Sequence, residues 1–241
     1  MVPTITDVRI LAIELLRSFK KIFKYKDLEA ITGLPAPALW RYINMKIMPS
    51  SERAQELIRK LTSPAIINKI FENNLITVDK EIYNLSKIIY NVSILKIFSY
   101  IAFKEFFKYN ITAVATVEVD GIPIAVNVAD ALGTKLVIAR KRPDVGIKNY
   151  FQTSYIARDP PAVVNLFIPA HTLNINDRVL IVDDLLNTGR TSLALIKLIK
   201  MASATPVGIF SILAIGSRWR PSLQSEVEKI YVIKHIPGAG S

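Results

Sequence analysis

The sequence predicts an α/β protein in which an all-helical N-terminal module is joined to a domain built on a parallel sheet. Three observations carry this prediction. From Thr6 to Phe107 the apolar residues recur mostly at helical spacing. From Thr112 onward, short β-branched runs alternate with apolar-periodic stretches in strand-helix-strand order. Between them in importance is Arg178 to Thr191, RVLIVDDLLNTGRT, around which the rest is organised. Its apolar run Val179 to Val182 meets two adjacent carboxylates, Asp183 and Asp184, then a short polar loop, 187–191, and an apolar-periodic helix, Leu193 to Met201. That is the layout of a buried parallel strand ending in a polar crevice.

Half of the 241 residues are apolar and about a fifth are charged, so a packed globular chain is expected. The absence of cysteine excludes disulfides, thiolate metal sites and a cysteine nucleophile, and two histidines leave little room for imidazole metal chemistry. No uncharged apolar stretch approaches twenty residues and the start, MVPTITDVRI, lacks a signal-peptide layout, so no membrane partner and a cytoplasmic location are expected. The net charge of +11 is uneven. Residues 1–60 hold eleven Lys/Arg against six Asp/Glu, whereas residues 111–170 hold six against five. A basic N-terminal quarter is the footprint expected of a nucleic-acid-binding module.

Taken in order, Thr6 to Phe19 sets Val8, Leu11, Ile13, Leu15, Leu16 and Phe19 largely on one helical face, with Thr6 or Asp7 as N-cap. A basic joint, residues 20–24, follows. Leu28 and Ile31 mark a short helix, Thr32-Gly33-Leu34 a turn, and Pro35 to Met45 a second helix. The spacing from Leu28 through Gly33 to Leu39 is that of a DNA-binding helix-turn-helix, although Glu29 stands where a small residue is usual. On this reading the second helix presents Ala36, Pro37, Trp40, Arg41 and Asn44 to the major groove of double-stranded DNA. A core role for Trp40 is equally open. Pro49-Ser50-Ser51-Glu52 starts a further helix through Leu61. Pro64 to Phe107 reads as helices broken near Asn73-Asn74, their apolar stripes serving as core or dimer packing.

Thr112 to Val117 is then a strand, 118–121 its loop, Ile122 to Leu132 a crossover helix and Lys135 to Ala139 the next strand. Val207 to Ile215 and Ile230 to Ile233 are later strands, and Trp219 is expected to pack. A helix that starts just after a Thr- and Gly-containing loop offers unpaired N–H groups to an oxyanion such as phosphate. Two carboxylates beside that nest would repel a bare phosphate. They suit a ligand that also carries hydroxyls or a divalent cation, such as a ribose phosphate with magnesium.

That block resembles the 5-phosphoribosyl-1-pyrophosphate (PRPP) motif of the type I phosphoribosyltransferases, whose domain is a Rossmann-like parallel sheet. The resemblance implies that Asp183 and Asp184 hold the ribose hydroxyls, and that Leu186, Asn187, Thr188, Gly189, Arg190 and Thr191 wrap the 5′-phosphate. Many members have Gly-Gly where this chain has Gly189-Arg190. The loop TVEVDGIPIA resembles the family's pyrophosphate loop, with Val119, Asp120 and Gly121 approaching the ligand, and Arg140-Lys141 resembles the basic residues beside it. Lys141 would join the acidic pair as the catalytic groups, with Mg2+ carried by PRPP and no direct metal ligand in the protein. Residues 142–169 fall where the family keeps a mobile hood, and Ser154-Tyr155 resembles its Ser-Tyr pair. The acidic residue that follows in adenine-specific members has no counterpart in Ile156-Ala157-Arg158.

The N-terminal pattern TGLP…RYINMK-x-x-PS-x-ERA-x-EL, joined to such a domain, resembles the archaeal regulators labelled orotate phosphoribosyltransferase-like. It also parallels the Gram-positive purine repressor. The leading expectation is a transcription regulator that senses PRPP or a related nucleotide. The alternative is an active purine phosphoribosyltransferase whose N-terminal helices only dimerise. The expected organisation is a helix-turn-helix domain over 1–62, a helical connector over 63–90 and the phosphoribosyltransferase-like domain over 91–241, in a homodimer fitted to a palindromic site.

Overall fold

The computed structural model describes residues 7–79, 82–158 and 161–238. Its first part is helical, with α1 Val8–Ile22, α2 Tyr25–Thr32, α3 Ala36–Ile43, α4 Ser51–Leu61 and α5 Pro64–Asn74. Asp7 caps α1 by accepting from the Arg9 N–H at 2.8 Å, while Thr6 lies outside the described residues. The residues expected as a basic joint in part belong to α1, whose last turn contains Lys20 and Lys21. Cations at a helix C-terminus complement its partial negative charge, which favours that extension. Gly33 ends α2 in the left-handed region at φ 75°. Glu29 is no hindrance to α3. Its Oε1 accepts the Ala36 N–H at 2.6 Å and so satisfies the start of the next helix. Arg17 Nε donates to Ile43 O at 2.8 Å and Lys60 Nζ to Thr32 O at 2.7 Å, closing the C-terminal ends of α3 and α2.

The stretch expected to be wholly helical contains strands. After α5, β1 Ile76–Asp79 and β2 Ile82–Asn84 pair antiparallel, followed by the short α6 Ser86–Ile89 and by α7 Val92–Phe106. Isoleucine, valine, threonine and tyrosine at 76–78 and 82–83 are strand formers, and they outweigh the helical periodicity on either side.

The sheet comprises β3 Ala113–Val117, β4 Lys135–Ala139, β7 Arg178–Leu186, β8 Thr205–Ile215 and β9 Lys229–Ile236, all parallel, in the order β4-β3-β7-β8-β9. Helix α8, Ile122–Leu132, crosses from β3 to β4, and α9, Arg190–Met201, from β7 to β8; the short α10, Arg220–Leu223, precedes β9. The region expected as a mobile hood contains a hairpin of β5 Tyr150–Arg158 and β6 Pro161–Pro169. Its alternate residues Phe151, Tyr155, Val164, Leu166 and Ile168 join the core on the α9 side of the sheet, the period-2 burial expected of a one-sided ribbon.

Alternation along the strands divides the core. Val114, Leu180, Val182, Phe210 and Ile212 face α7 and α8, whereas Ala113, Ala115, Val179, Ile181 and Ile209 face α9. The first of these cores runs without a break into the N-terminal helices through Leu95, Phe98, Phe71, Leu57 and Leu16. Chain direction along the sheet reverses between β3 and β7, since β4 lies outward of one and β8 outward of the other. Such a switch point opens a crevice at the carboxyl ends of the strands. Among the described residues, no helix is long and apolar enough to cross a membrane.

Candidate functional site

The crevice between β3 and β7 holds the acidic pair. Strand β7 continues to Leu186, so Asp183 and Asp184 belong to its last residues instead of following its end. Both are half-buried, and the Asp184 N–H donates to Asp183 Oδ1 at 3.1 Å. Burial, reinforced by the Asp184 charge, pushes the Asp183 carboxyl well above the usual carboxylate range. Burial raises Asp184 as well, and the nearby Asp120 adds to the rise. A pair held in this state gains most from a ligand that brings hydroxyl donors or a cation. The donor set therefore fits a ribose and a Mg2+ ion shared with ligand oxygens. Among the described residues no group of three or more His, Asp or Glu is placed to hold a metal ion.

Beyond β7, Asn187, Thr188 and Gly189 turn the chain into α9, which starts at Arg190 and not at Leu193. Gly189 has φ 74°, and a Cβ there would lie 2.9 Å from Leu223 Cδ1 and 3.2 Å from Trp219 Cβ. Both the backbone conformation and the close approach require glycine. Leu193 N–H is the first to bond back, to Gly189 O at 2.9 Å, which leaves the N–H groups of the first turn facing the loop. Ser192 Oγ in that turn is buried without a hydrogen-bond partner. Trp219 is packed as expected, 4% exposed, with its Nε1 donating to Gly216 O. Arg218 reaches the loop, donating to Asn187 Oδ1 at 3.3 Å.

Two residues expected to wrap phosphate also hold the β5–β6 hairpin. Arg190 donates from its guanidinium to Ile156 O at 2.8 Å, and Thr191 Oγ1 lies 3.3 Å from Tyr155 Oη. Ser154, the other half of the expected pair, is exposed beside them.

On the opposite side of the crevice, Gly121 opens α8. A Cβ on it would come within 2.4 Å of Thr116 Oγ1, so glycine lets the start of α8 lie close against the end of β3, with Asp183 Oδ1 3.5 Å from the same point. The Glu118–Val119 peptide is cis, and Val119 is exposed. Arg140 and Lys141 stand at the end of β4, Arg140 ion-paired with Glu118 and Asp144.

A cavity of about 460 Å³ adjoins Asp120, Asp184 and Leu185, and its other wall is Val78, Ile82, Tyr83, Asn84, Leu85, Ser86, Ile89 and Tyr90. That volume and the mix of apolar and aromatic walls with a few polar groups suit a small planar ligand. Tyr90 Oη lies 3.5 Å from Asp120 Oδ1, at the limit of a hydrogen bond. None of these wall residues was read in the sequence as lining a site, Ile89 having been placed only in an apolar helical stripe. They lie in the stretch expected to be only a connector, and no motif marks them. Glu118 was likewise read only as part of a loop.

The residues expected to meet DNA lie at the other end of the chain. Pro37, Trp40, Arg41 and Asn44 are all exposed along α3 and just after it, with Trp40 at 48%, so Trp40 is not a core residue. Asn44 Nδ2 donates to Trp40 O at 2.8 Å.

Residues 81–237 match the Phosphoribosyl transferase domain family, more than half of the chain. The chain belongs to that family. Among curated relatives, the xanthine phosphoribosyltransferase of Bacillus cereus is 35% identical over 107 residues, which are 44% of this chain and 54% of the relative. That of Bacillus mycoides is 34% identical over 107 residues, with the same shares. The chain thus spans about half the length of the curated relatives it matches. Among solved structures, the adenine phosphoribosyltransferase of Thermoanaerobacter pseudethanolicus matches with a TM-score of 0.63 and 20% identity, covering 70% of this chain and 99% of that one. The APRTase of Giardia lamblia, complexed with 9-deazaadenine, gives 0.62 and 21%, covering 73% and 98%. At these identities the structural likeness is one of fold.

Proposed function

We propose that the chain transfers the phosphoribosyl group of PRPP to a purine base. This reverses the order of the two expectations drawn from the sequence, because xanthine and adenine phosphoribosyltransferases are among the similar proteins. The observation that carries the proposal is the junction of three features at one switch point. These are the nest before α9, the Asp183-Asp184 pair and the cavity beside Asp184.

In this reading the N–H groups of 187–191 hold the 5′-phosphate and the acidic pair orients the ribose hydroxyls. Lys141 and the 118–121 loop meet the pyrophosphate, which leaves from ribose C1 as the bond to the base nitrogen forms. Bound Mg2+ would offset pyrophosphate charge. The residues of the chain contribute position and fixed electrostatics. The base would lie in the cavity against Tyr83, Leu85 and Ile89. Asn84 lines the cavity, its Oδ1 accepting the Ser86 N–H at 2.8 Å. The similarity to xanthine phosphoribosyltransferases favours an oxopurine over adenine. The test is PRPP consumption with xanthine, guanine, hypoxanthine and adenine in turn. Turnover fastest with an oxopurine is expected, and no turnover with any base sinks the proposal.

A second reading, a regulator whose α2–α3 pair binds DNA and whose PRPP site senses nucleotide supply, is favoured by a different observation. Lys21, Lys24, Lys26, Arg41 and Lys46 of the N-terminal module form no ion pair among the described residues. The acidic side chains there are engaged locally, for example Glu14 with Arg17 and Glu56 with Arg53 and Lys60. The module therefore shows mostly positive charge outward, as a phosphate backbone requires. A homodimer would set two such units on one duplex. Retention of promoter-region DNA that Arg41→Ala abolishes, with PRPP affinity unchanged, is the expected result. Absence of retention at low salt removes this reading.

A further inference from the structure

We infer that Glu118 is a positioning residue for the pyrophosphate side of the site, which fixes Arg140 as a strut and leaves Lys141 as the cation that meets the ligand. The inference rests on the transferase reading above and narrows the roles of the two basic residues.

Glu118 follows β3 directly and ties two loops together. Its N–H donates to Ala139 O at 3.1 Å, its Oε1 accepts the Lys141 N–H at 2.7 Å, and its Oε2 accepts from Arg140 Nε at 3.4 Å. The end of β3 is thereby held against the end of β4 on both main chain and side chain. Arg140 is restrained further. Its N–H and C=O exchange hydrogen bonds with Phe167 at 2.9 and 2.8 Å, and its NH1 ion-pairs with Asp144. Asp144 in turn receives order from Tyr150, whose Oη accepts the Asp144 N–H at 2.6 Å.

The charges decide the roles. The Arg140 guanidinium faces two carboxylates, so little of its charge is available to an incoming polyanion. Lys141 has its main chain pinned by Glu118, while its exposed ammonium forms no ion pair among the described residues. A compact ammonium on a fixed backbone is suited to meeting a phosphate that must later depart. Glu118 also adds a fourth carboxylate to a neighbourhood that already contains Asp120, Asp183 and Asp184. That placement opposes anion binding unless the carboxylate is neutralised locally, and Arg140 does this at its side. The arrangement fixes the main chain of both basic residues before the ligand arrives.

Glu118→Gln separates this role from a general structural one. The glutamine Oε1 can still accept the Lys141 N–H, but its NH2 group would confront Arg140 Nε–H, donor against donor. The full-length wild type and variant are titrated calorimetrically with pyrophosphate in magnesium buffer, and separately with ribose 5-phosphate. Loss of one charge-assisted bond predicts pyrophosphate affinity roughly tenfold weaker in the variant, with ribose 5-phosphate affinity unchanged. In a Lys141→Ala background the same change should have little further effect, because the residue it positions is gone. Equal pyrophosphate affinity in wild type and Glu118→Gln overturns the inference. An equal loss for both ligands overturns it too, since that marks a general disturbance of the fold. A wild-type protein that binds ribose 5-phosphate but not pyrophosphate overturns it while leaving the nest intact. Binding of neither ligand removes the transferase reading as well.

Discussion

Asp183, half-buried, and Asp177, buried, are carboxylates held in opposite states, and the difference separates function from stability. Asp177 is 8% exposed between β6 and β7. Burial pushes its carboxyl upward, but Lys135 Nζ at 2.6 Å, the Asn174 N–H and the Thr112 hydroxyl outweigh this and hold it below the usual value. A depressed carboxyl stabilises the fold above its unfolded pKa, about 3.9, and loses that contribution as pH falls through the folded value. Asp177→Asn should therefore cost about 1–3 kcal/mol near neutrality, with the gap from wild type closing in acid. Thermal midpoints measured across pH check this. Asp183 has the reverse sign. Because its carboxyl is raised, the folded chain binds the proton more tightly than the unfolded one, and stability falls as pH climbs through the folded pKa. Asp183→Asn should raise the thermal midpoint of the ligand-free protein near neutral pH, by an amount that shrinks in acid, while ribose 5-phosphate binding is lost. A lower midpoint at neutral pH would show that the carboxylate is not under repulsion.

At the scale of elements, the start of α3 shows how one departure from a motif becomes a fastener. Glu29 accepts the Ala36 N–H, so Glu29→Ala should cost about 1 kcal/mol, read as a shift in the urea midpoint with unchanged slope. The parallel strands, the crossover helices and the β7–α9 turn were legible in the sequence because each carries a local signature. Val179 to Val182 is continuously apolar, Gly121 and Gly189 punctuate the turns, and the acidic pair stands between them. The β1–β2 hairpin was not legible. Its strands are four and three residues long, and their side chains are mostly exposed, so neither length nor alternation distinguishes them from the helices around them. The β5–β6 hairpin was concealed for a different reason. Its alternation is visible at Phe151, Thr153 and Tyr155, but Pro160 and Pro161 interrupt the run and read as a loop. Glu118 and Asn84 were missed because their partners, Arg140 and Ser86 among them, are defined only once loops meet in space or turn back on themselves.

At the scale of the molecule, the decisive fact is that one apolar core joins the N-terminal helices to a face of the sheet. Helix α1 packs against both α4 and α7, and Phe71 of α5 stacks on Phe98 of α7 with centroids 5.6 Å apart. Two units that share a core lose it together. Calorimetry of the full chain should show one unfolding transition, and two resolved transitions would contradict this packing. The placement of the tryptophans has a separate, optical consequence. The chain has two. Trp219 is buried against Gly189 at the turn before α9, and Trp40 is half-exposed on α3. Iodide in solution should quench the emission of Trp40 and spare that of Trp219. With Trp40 replaced by phenylalanine, the remaining emission should respond to ribose 5-phosphate and not to DNA; with Trp219 replaced, the reverse is expected. The protein thus carries a built-in fluorophore at each of its two ends, and each proposed ligand can be followed without a label.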